Sequence, residues 1–101
     1  MKILITGASG QDGILLIDHI FQKSADVTIY ALSRSQQKFL NHLHAIGGLQ
    51  LAETFHQKGH FITCDVTDRA EVMSQLDLIK PDAIFHLAAH MEPLLQPGNE
   101  S

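Results

Sequence analysis

The first thirteen residues constrain the fold most, because an apolar run is followed by three evenly spaced glycines and then by a helical pattern. Ile3–Ile5 is an unbroken apolar segment, which is typical of a strand buried on both faces. After the glycines, apolar residues recur at helical spacing as far as Phe21. This order predicts a strand, a tight turn and a helix from about Asp12 to Lys23. The three glycines of the turn are Gly7, Gly10 and Gly13.

A strand, a glycine-rich turn and a helix in this order are the parts that dinucleotide binding requires. One glycine permits the sharp turn, one lets a pyrophosphate approach the backbone, and one lets the helix pack closely against the strand. The helix N-terminus then offers N–H groups and a partial positive charge to the phosphates. The place of the glycines between a strand and a helix favours this function over an ordinary turn.

The middle of the chain continues the alternation of strands and helices. Val27–Leu32 is rich in β-branched and aromatic residues, which predicts a second strand. Apolar residues at helical spacing over Phe39–Ile46 predict a helix that Gly47 and Gly48 end. A short further helix is predicted over Leu49–Gln57.

The last third of the chain predicts two more strands and one more helix. Phe61–Cys64 is the third strand, and Asp68 with Glu71 has the spacing of a capping box in which Asp68 is the N-cap. The fourth strand is predicted over Ala83–Ala89, and residues 91–101 form an irregular tail. The helix before that strand ends near Pro81, and its predicted inner stripe is Val72, Met73, Leu76 and Ile79.

This alternation predicts an α/β fold, a Rossmann-type parallel sheet with right-handed crossovers and strand order 3-2-1-4. Residues 1–90 would form the dinucleotide-binding half-domain, with its switch point between strands 1 and 4. Strand 4 would then be an edge strand. Its apolar residues Ile84, Phe85 and Leu87 are therefore expected to promote self-association.

Composition excludes several other classes. The 101 residues are 45% hydrophobic, enough for one small domain, and carry a net charge of −4 without a lysine or arginine run. This charge argues against nucleic-acid and membrane-surface partners, and no apolar stretch is long enough for a bilayer. The single Cys64 cannot form an internal disulfide, which favours a reducing cytoplasm. No metal site is expected, since no histidine pair gains a third ligand at workable spacing.

The end of the second strand bears on the choice of cofactor, because this point meets the adenosine ribose in dinucleotide folds. An acidic residue there favours a free 2′-hydroxyl, whereas an arginine accommodates a 2′-phosphate. Ser33 and Arg34 stand here without a carboxylate. A guanidinium forms a charge-assisted fork with phosphate, and a serine hydroxyl can support it. The sequence therefore favours NADP over NAD.

Four motifs together resemble the N-terminal part of an extended short-chain dehydrogenase/reductase, most of all the GDP-mannose 4,6-dehydratases and related nucleotide-sugar epimerases and dehydratases. They are Thr6–Gly13, Ser33–Ser35, Asp65–Asp68 and Leu87–Ala89. The resemblance implies that Asp65 meets the adenine and that Leu87–Ala89 lie along the nicotinamide half. The candidate cofactor-binding residues are Gly7, Ala8, Ser9, Gly10, Gln11, Asp12, Gly13, Ser33, Arg34, Asp65, Val66, Leu87, Ala88 and Ala89.

The resemblance ends near residue 90, where His90–Pro93 no longer fits the family pattern. The family's catalytic serine or threonine, its Tyr-x-x-x-Lys pair and its sugar-nucleotide domain would lie further on. The chain's one tyrosine, Tyr30, is followed four places later by Arg34 rather than lysine. The sequence thus predicts a truncated, catalytically incomplete NADP-binding fragment, with a nucleotide-sugar substrate only in a full-length relative.

An alternative is a non-catalytic NAD(P)-binding or sensing module. The missing catalytic residues are expected both in a truncated enzyme and in a module that never had a catalytic role. A flavodoxin-like or methyltransferase domain is disfavoured by the glycine spacing and by Arg34.

Overall fold

The computed structural model describes residues 1–87, which form a four-stranded parallel sheet with helices on both faces. The strand order is β3-β2-β1-β4, so the predicted α/β Rossmann-type sheet and its strand order are confirmed. The elements are β1 (Lys2–Thr6), α1 (Gln11–Lys23), β2 (Thr28–Ser33), α2 (Gln36–Lys58), β3 (Gly59–Thr63), α3 (Arg69–Ile79) and β4 (Ala83–His86).

β1 lies in the middle of the sheet and is buried on both faces, as its apolar run predicts. Ile3 pairs with Ile29 of β2 on one side and with Ala83 of β4 on the other. Because successive side chains of a strand point to opposite faces, Leu4 and Ile5 enter different halves of the core, and both are fully buried.

One face of the sheet is covered by α1 and α2. The centre of this layer is Phe39, whose ring centroid lies 4.9 Å from that of Phe55 and 5.1 Å from that of Phe61. These three residues bring α2 and β3 together over β2. The buried residues of this cluster are Ile3, Ile5, Ala8, Ile14, Ile17, Val27, Ile29, Ala31, Phe39, Leu43, Leu51 and Phe55.

The opposite face is covered by α3, and its buried cluster is smaller, comprising Leu4, Leu32, Cys64 and Ile79. Val72 and Leu76 pack partly buried against that cluster. The prediction that Met73 belongs to the inner stripe is wrong, because 52% of its surface is exposed. Val72, Leu76 and Ile79 lie on one side of the helix. Met73 directly follows Val72 and therefore lies about 100° around the helix axis from it, away from the sheet.

The two predicted helices between β2 and β3 form one kinked element, α2. Its backbone leaves the helical region at Gly48, where φ is 69° and ψ is −168°. A positive φ of this kind suits glycine, so the predicted break at the glycine pair is confirmed. β3 begins at Gly59 and ends at Thr63. The Cys64 N–H still donates to the Ser33 carbonyl at 2.9 Å, which extends the ladder by one bond.

The start of α3 differs from the predicted capping box in one of its two bonds. Asp68 is the N-cap as expected, because its carboxylate accepts from the Glu71 N–H at 3.2 Å. The Glu71 carboxylate, however, accepts from the Asp65 N–H at 3.0 Å. The Asp68 N–H already donates to the Asp65 carbonyl at 2.9 Å, so the turn itself satisfies the donor that a capping box would use.

β4 is an edge strand within residues 1–87, and its apolar side chains are open to solvent. Ile84 is 51% exposed and Phe85 is 39% exposed. The strand ends at His86, after which the Leu87 N–H donates to the Thr6 carbonyl at 3.0 Å. The predicted continuation through Ala89 and the tail over residues 91–101 lie outside the described residues. None of the helices in the described part has the length and apolarity to cross a membrane.

Candidate functional site

A crevice of about 630 Å³ opens at the carboxyl ends of β1 and β2, where ligands bind in open α/β sheets. Its lining includes ten of the residues that the sequence predicted: Gly7, Ser9, Gly10, Gln11, Asp12, Gly13, Ser33, Arg34, Val66 and Leu87. The crevice is also lined by Ser35, which belongs to the Ser33–Ser35 motif, and by Lys38 and Cys64, which the sequence did not predict as binding residues. Ala8 and Asp65 lie beside the lining, and Ala88 and Ala89 lie outside the described residues.

The three glycines have three different surroundings in the turn. Gly7 has a φ of 70°, which lets the chain turn sharply out of β1. A Cβ on Gly13 would lie 2.5 Å from the Ala8 carbonyl oxygen, so only glycine allows α1 to approach the turn this closely. A Cβ on Gly10 would meet no protein atom within 4 Å. Gly10 therefore leaves open space in the crevice, as a close approach by a ligand would need.

The N-terminus of α1 faces the crevice without a side-chain cap. Gly10 is the N-cap residue, so no side-chain oxygen accepts a bond from the first turn. The first N–H groups of a helix have no partner within the helix, and they carry the positive end of its dipole. Gln11 and Gly13 of this turn line the crevice. This end of the crevice can therefore donate several hydrogen bonds to an anion.

The end of β2 and the start of α2 contribute two cations and two serines. Arg34 and Lys38 are both exposed and both line the crevice. The hydroxyl of Ser35 caps α2 by accepting from the Lys38 N–H at 3.1 Å. This cap fixes where α2 starts and hence places Lys38 one turn after Arg34. In the sequence, Ser35 is followed three residues later by Lys38. This spacing indicates that Lys38 lies in the first turn of a helix only if Ser35 is known to be the N-cap.

The charges of the lining favour an anionic ligand. Arg34 and Lys38 are opposed by a single carboxylate among the lining residues, that of exposed Asp12. The positive charge of the lining is concentrated at Arg34 and Lys38, while carboxylates including that of Asp65 lie near Cys64 at the end of β3. The Arg34 and Lys38 end therefore attracts phosphate groups.

The turn after β3 holds Asp65 through its neighbours. Asp65 Oδ1 accepts from the Thr67 hydroxyl at 2.6 Å and from the Thr67 N–H at 2.9 Å. These bonds, the hydroxyl first, lower the pKa of the Asp65 carboxyl, so the group is ionised at neutral pH. Burial, followed by the charge of Glu71, raises the pKa of the Cys64 thiol. Cys64 is accordingly an uncharged wall of the crevice rather than a nucleophile.

The other end of the crevice lies between β1 and β4. Leu87 lines it, and one residue earlier His86 Nδ1 is hydrogen-bonded to the buried hydroxyl of Thr6. Tyr30 lies away from the crevice, where it stacks on His60 with ring centroids 4.9 Å apart. Across residues 1–87, no group of three or more His, Cys, Asp or Glu side chains could hold a metal ion.

Comparisons with known proteins point to one family. A family model described as GDP-mannose 4,6 dehydratase matches residues 4–93. Over 86 residues the chain is 36% identical to a GDP-mannose 4,6-dehydratase of Sordaria araneosa, covering 84% of this chain and 14% of that protein. Over 89 residues it is 28% identical to a dTDP-glucose 4,6-dehydratase of Salmonella typhimurium, covering 88% of this chain and 23% of that protein. The chain thus spans less than a quarter of the length of these curated relatives.

A solved structure agrees on the fold. The dTDP-glucose 4,6-dehydratase of Bacillus anthracis, determined in complex with NAD, superposes with a TM-score of 0.68 at 19% identity. The match covers 89% of this chain and 27% of that one.

Proposed function

The chain belongs to the GDP-mannose 4,6-dehydratase family, and we propose that its crevice binds the dinucleotide NADP. The observation that carries this proposal is the uncapped N-terminus of α1 facing the same crevice as Arg34 and Lys38. The α1 N-terminus would then bind the pyrophosphate, and Arg34 with Lys38 would bind the phosphate on the ribose. The NAD complex of the Bacillus anthracis dehydratase supports a nicotinamide dinucleotide as the ligand.

In this proposal the pyrophosphate lies on the glycine-rich turn. The open space at Gly10 lets a phosphate reach the backbone, and the N–H groups of Gln11, Asp12 and Gly13 donate to it. The side chain of Ala8 is fully buried, so Ala8 supports the turn by packing in the core and would not contact the ligand through its side chain. The Asp12 side chain is exposed, so its charge can remain in solvent.

The 2′-phosphate of the adenosine ribose lies between Arg34 and Lys38. A guanidinium binds phosphate through a planar fork, whereas an ammonium acts as a point charge, so the two cations contribute different contacts. Ser33 and Ser35 line the same region with hydroxyl groups. No carboxylate stands at the end of β2, where one would favour a free 2′-hydroxyl. These features support NADP over NAD.

The adenine and nicotinamide contacts follow from the turns after β3 and β4. Oδ1 of Asp65 is engaged by Thr67, so we assign the adenine amino group to the other carboxylate oxygen, with Val66 against the ring. Leu87 supports the nicotinamide half from the end of β4. The contributions of Ala88 and Ala89 stay predictions.

For the full-length protein we propose nucleotide-sugar 4,6-dehydratase or epimerase chemistry, in which bound NADP would accept a hydride from a hexose and return it. Residues 1–101 contain no Tyr-x-x-x-Lys pair. We therefore expect this segment to supply the cofactor site and to release no 4-keto sugar by itself. The buried free thiol of Cys64 supports a cytoplasmic location for the protein.

Calorimetric titration of the chain with NADP and with NAD tests the choice of cofactor. Arg34→Asp should weaken NADP binding by about tenfold to a hundredfold, because a charge-assisted contact becomes a repulsive one. NAD binding should change little. Arg69→Asp is the matched control, since it changes the net charge equally at an exposed position outside the crevice lining. Equal NADP affinity in the wild type and the Arg34 variant would overturn the proposal.

A further inference from the structure

Ser9, in the middle of the glycine-rich turn, is held from two other elements of the fold. The hydroxyl of Ser33, at the end of β2, donates to the Ser9 hydroxyl at 2.8 Å. Nδ1 of His42, on α2, is hydrogen-bonded to the Ser9 carbonyl oxygen. Ser33 is buried and His42 is half-buried, so neither bond is fully open to solvent. These two bonds connect the glycine-rich turn to the end of β2, which Arg34 directly follows, and to α2, which carries Lys38.

The chemistry of the His42 contact is fixed by its partner. A carbonyl oxygen only accepts, so Nδ1 of His42 must carry the proton. The neutral ring then has its proton on Nδ1, and the charged ring would donate from the same atom. The contact therefore requires a donor at that position rather than a charge.

Fixing the Ser9 carbonyl also fixes the next amide. A peptide group is planar and trans, so the Gly10 N–H points in the direction opposite to the Ser9 carbonyl, away from His42. Gly10 lines the crevice and has open space around it. In this way a side chain of α2 sets the direction of one of the backbone donors at the phosphate end of the crevice.

We infer that His42 is a positioning residue for dinucleotide binding: it orients the Ser9–Gly10 peptide and links the glycine-rich turn to α2. This inference rests on the proposed function, because it assumes that the turn receives a pyrophosphate. The same helix begins at Gln36, directly after the Ser35 cap, and carries Lys38. A ligand bound at Lys38 and at Gly10 therefore meets two surfaces whose spacing is held by the His42 contact.

Two substitutions at position 42 separate the hydrogen bond from packing. His42→Leu keeps a side chain of similar bulk without a donor. His42→Asn places an amide nitrogen the same number of bonds from Cα as Nδ1 and so retains a donor. His44→Leu is the matched control, because His44 is exposed on the same helix and outside the crevice lining.

The experiment is calorimetry of the 101-residue chain and its variants with NADP, accompanied by thermal unfolding. His42→Leu should weaken NADP binding by about fivefold to tenfold, the worth of one hydrogen bond. His42→Asn should recover most of that loss, and His44→Leu should leave binding unchanged. NADP binding by the wild type together with equal binding by His42→Leu would overturn the inference and leave the proposed function standing. No NADP binding by the wild type would overturn both.

A measurement on the wild type requires no variant. The ¹⁵N shifts of the His42 ring should report a protonated Nδ1. The amide shift of Gly10 should move in His42→Leu and return toward its original value in His42→Asn. A neutral His42 ring that carries its proton on Nε2 alone would contradict the inference, even if His42→Leu proved too unstable for calorimetry.

Discussion

The two faces of the sheet are covered to different extents. α1 and α2 bury large side chains such as Phe39, Leu43 and Phe55 against one face, whereas α3 alone lies against the other. Of the α3 residues, Ile79 is buried, while 75% of the Leu78 surface is exposed. The glycine-rich turn belongs to the well-packed side through Ala8, whereas the end of β2 is buried on both sides, through Ala31 on that face and Leu32 on the α3 face. The glycine-rich end of the crevice therefore rests on the more strongly packed face, and the end of β2 depends on both faces.

This difference indicates which parts of the chain carry its stability. Burial of apolar area contributes about 25 cal/mol per Å², so a face with more buried side chains contributes more to the free energy of unfolding. The exposed apolar residues of α3 and β4 contribute little within residues 1–87. Substitutions on the two faces should therefore have unequal effects, and four experiments test how the parts of the chain differ.

The largest effect is expected at Phe39. Phe39→Ala removes a fully buried ring from between Phe55 and Phe61 and should lower the free energy of unfolding by about 3–5 kcal/mol. Leu76→Ala, on the α3 face, removes a partly buried side chain and should cost about 1–2 kcal/mol. Denaturant unfolding measures both. Similar losses for the two variants would mean that the faces contribute equally.

A smaller effect is expected at Gly13. Gly13→Ala places a methyl group against the Ala8 backbone, which cannot move without displacing the turn, and should cost about 1–3 kcal/mol. Gly10→Ala is the matched control, because its methyl group would enter open space. It should cost less stability than Gly13→Ala, about 0.5–1 kcal/mol for the poorer N-cap, and it should weaken NADP binding. A stable Gly13→Ala chain would show that α1 is not packed as tightly as described.

The edge of β4 should govern self-association. An exposed strand edge with apolar side chains is a template for pairing, and a lysine on it blocks such pairing. Ile84→Lys should therefore reduce association in analytical ultracentrifugation. Leu49→Lys, which replaces a similarly exposed residue on α2, should not. A wild-type chain that sediments as a monomer at tens of micromolar would contradict the expectation.

The smallest effect is the pH dependence due to Asp65. Bonds from Thr67 lower the folded pKa of this carboxyl, so its contribution to stability is present above the unfolded pKa of about 3.9 and is lost as the pH falls through the folded value. Thr67→Val removes the hydroxyl, which is the largest cause. Unfolding curves between neutral and acidic pH should show a weaker acid dependence in this variant. An identical pH dependence would show that the Thr67 hydroxyl does not stabilise the carboxylate.

Most of the fold could be predicted because its signals are local. The glycine spacing, the apolar run of β1 and the break at Gly48 each depend on a few adjacent residues. The exposure of Met73 could not be predicted. The spacing of apolar residues indicates which side of a helix faces the sheet, but not how many residues around that side the sheet covers. The partner of Glu71 was missed because the turn before α3 uses the Asp68 N–H itself.

The candidate site was predicted where its residues follow one another in sequence, and it was missed where residues meet only through the fold. The turn from Gly7 to Gly13 could be recognised as a motif. Lys38 and His42 could not, because their places depend on where α2 begins and on how it lies against the turn. A helix start that is shifted by one residue would move both side chains by about 100° around the axis.

An amide NMR titration of the chain with NADP would show directly whether a dinucleotide binds over the glycine-rich turn. Binding should shift the amides of Ser9–Gly13, Arg34–Lys38 and Asp65–Val66 most strongly and leave the amides of α3 little changed. A second concavity, between α1 and α2, is lined by Asp18, Gln50 and Thr54. Shifts confined to those residues, or no shifts at saturating NADP, would contradict binding over the glycine-rich turn.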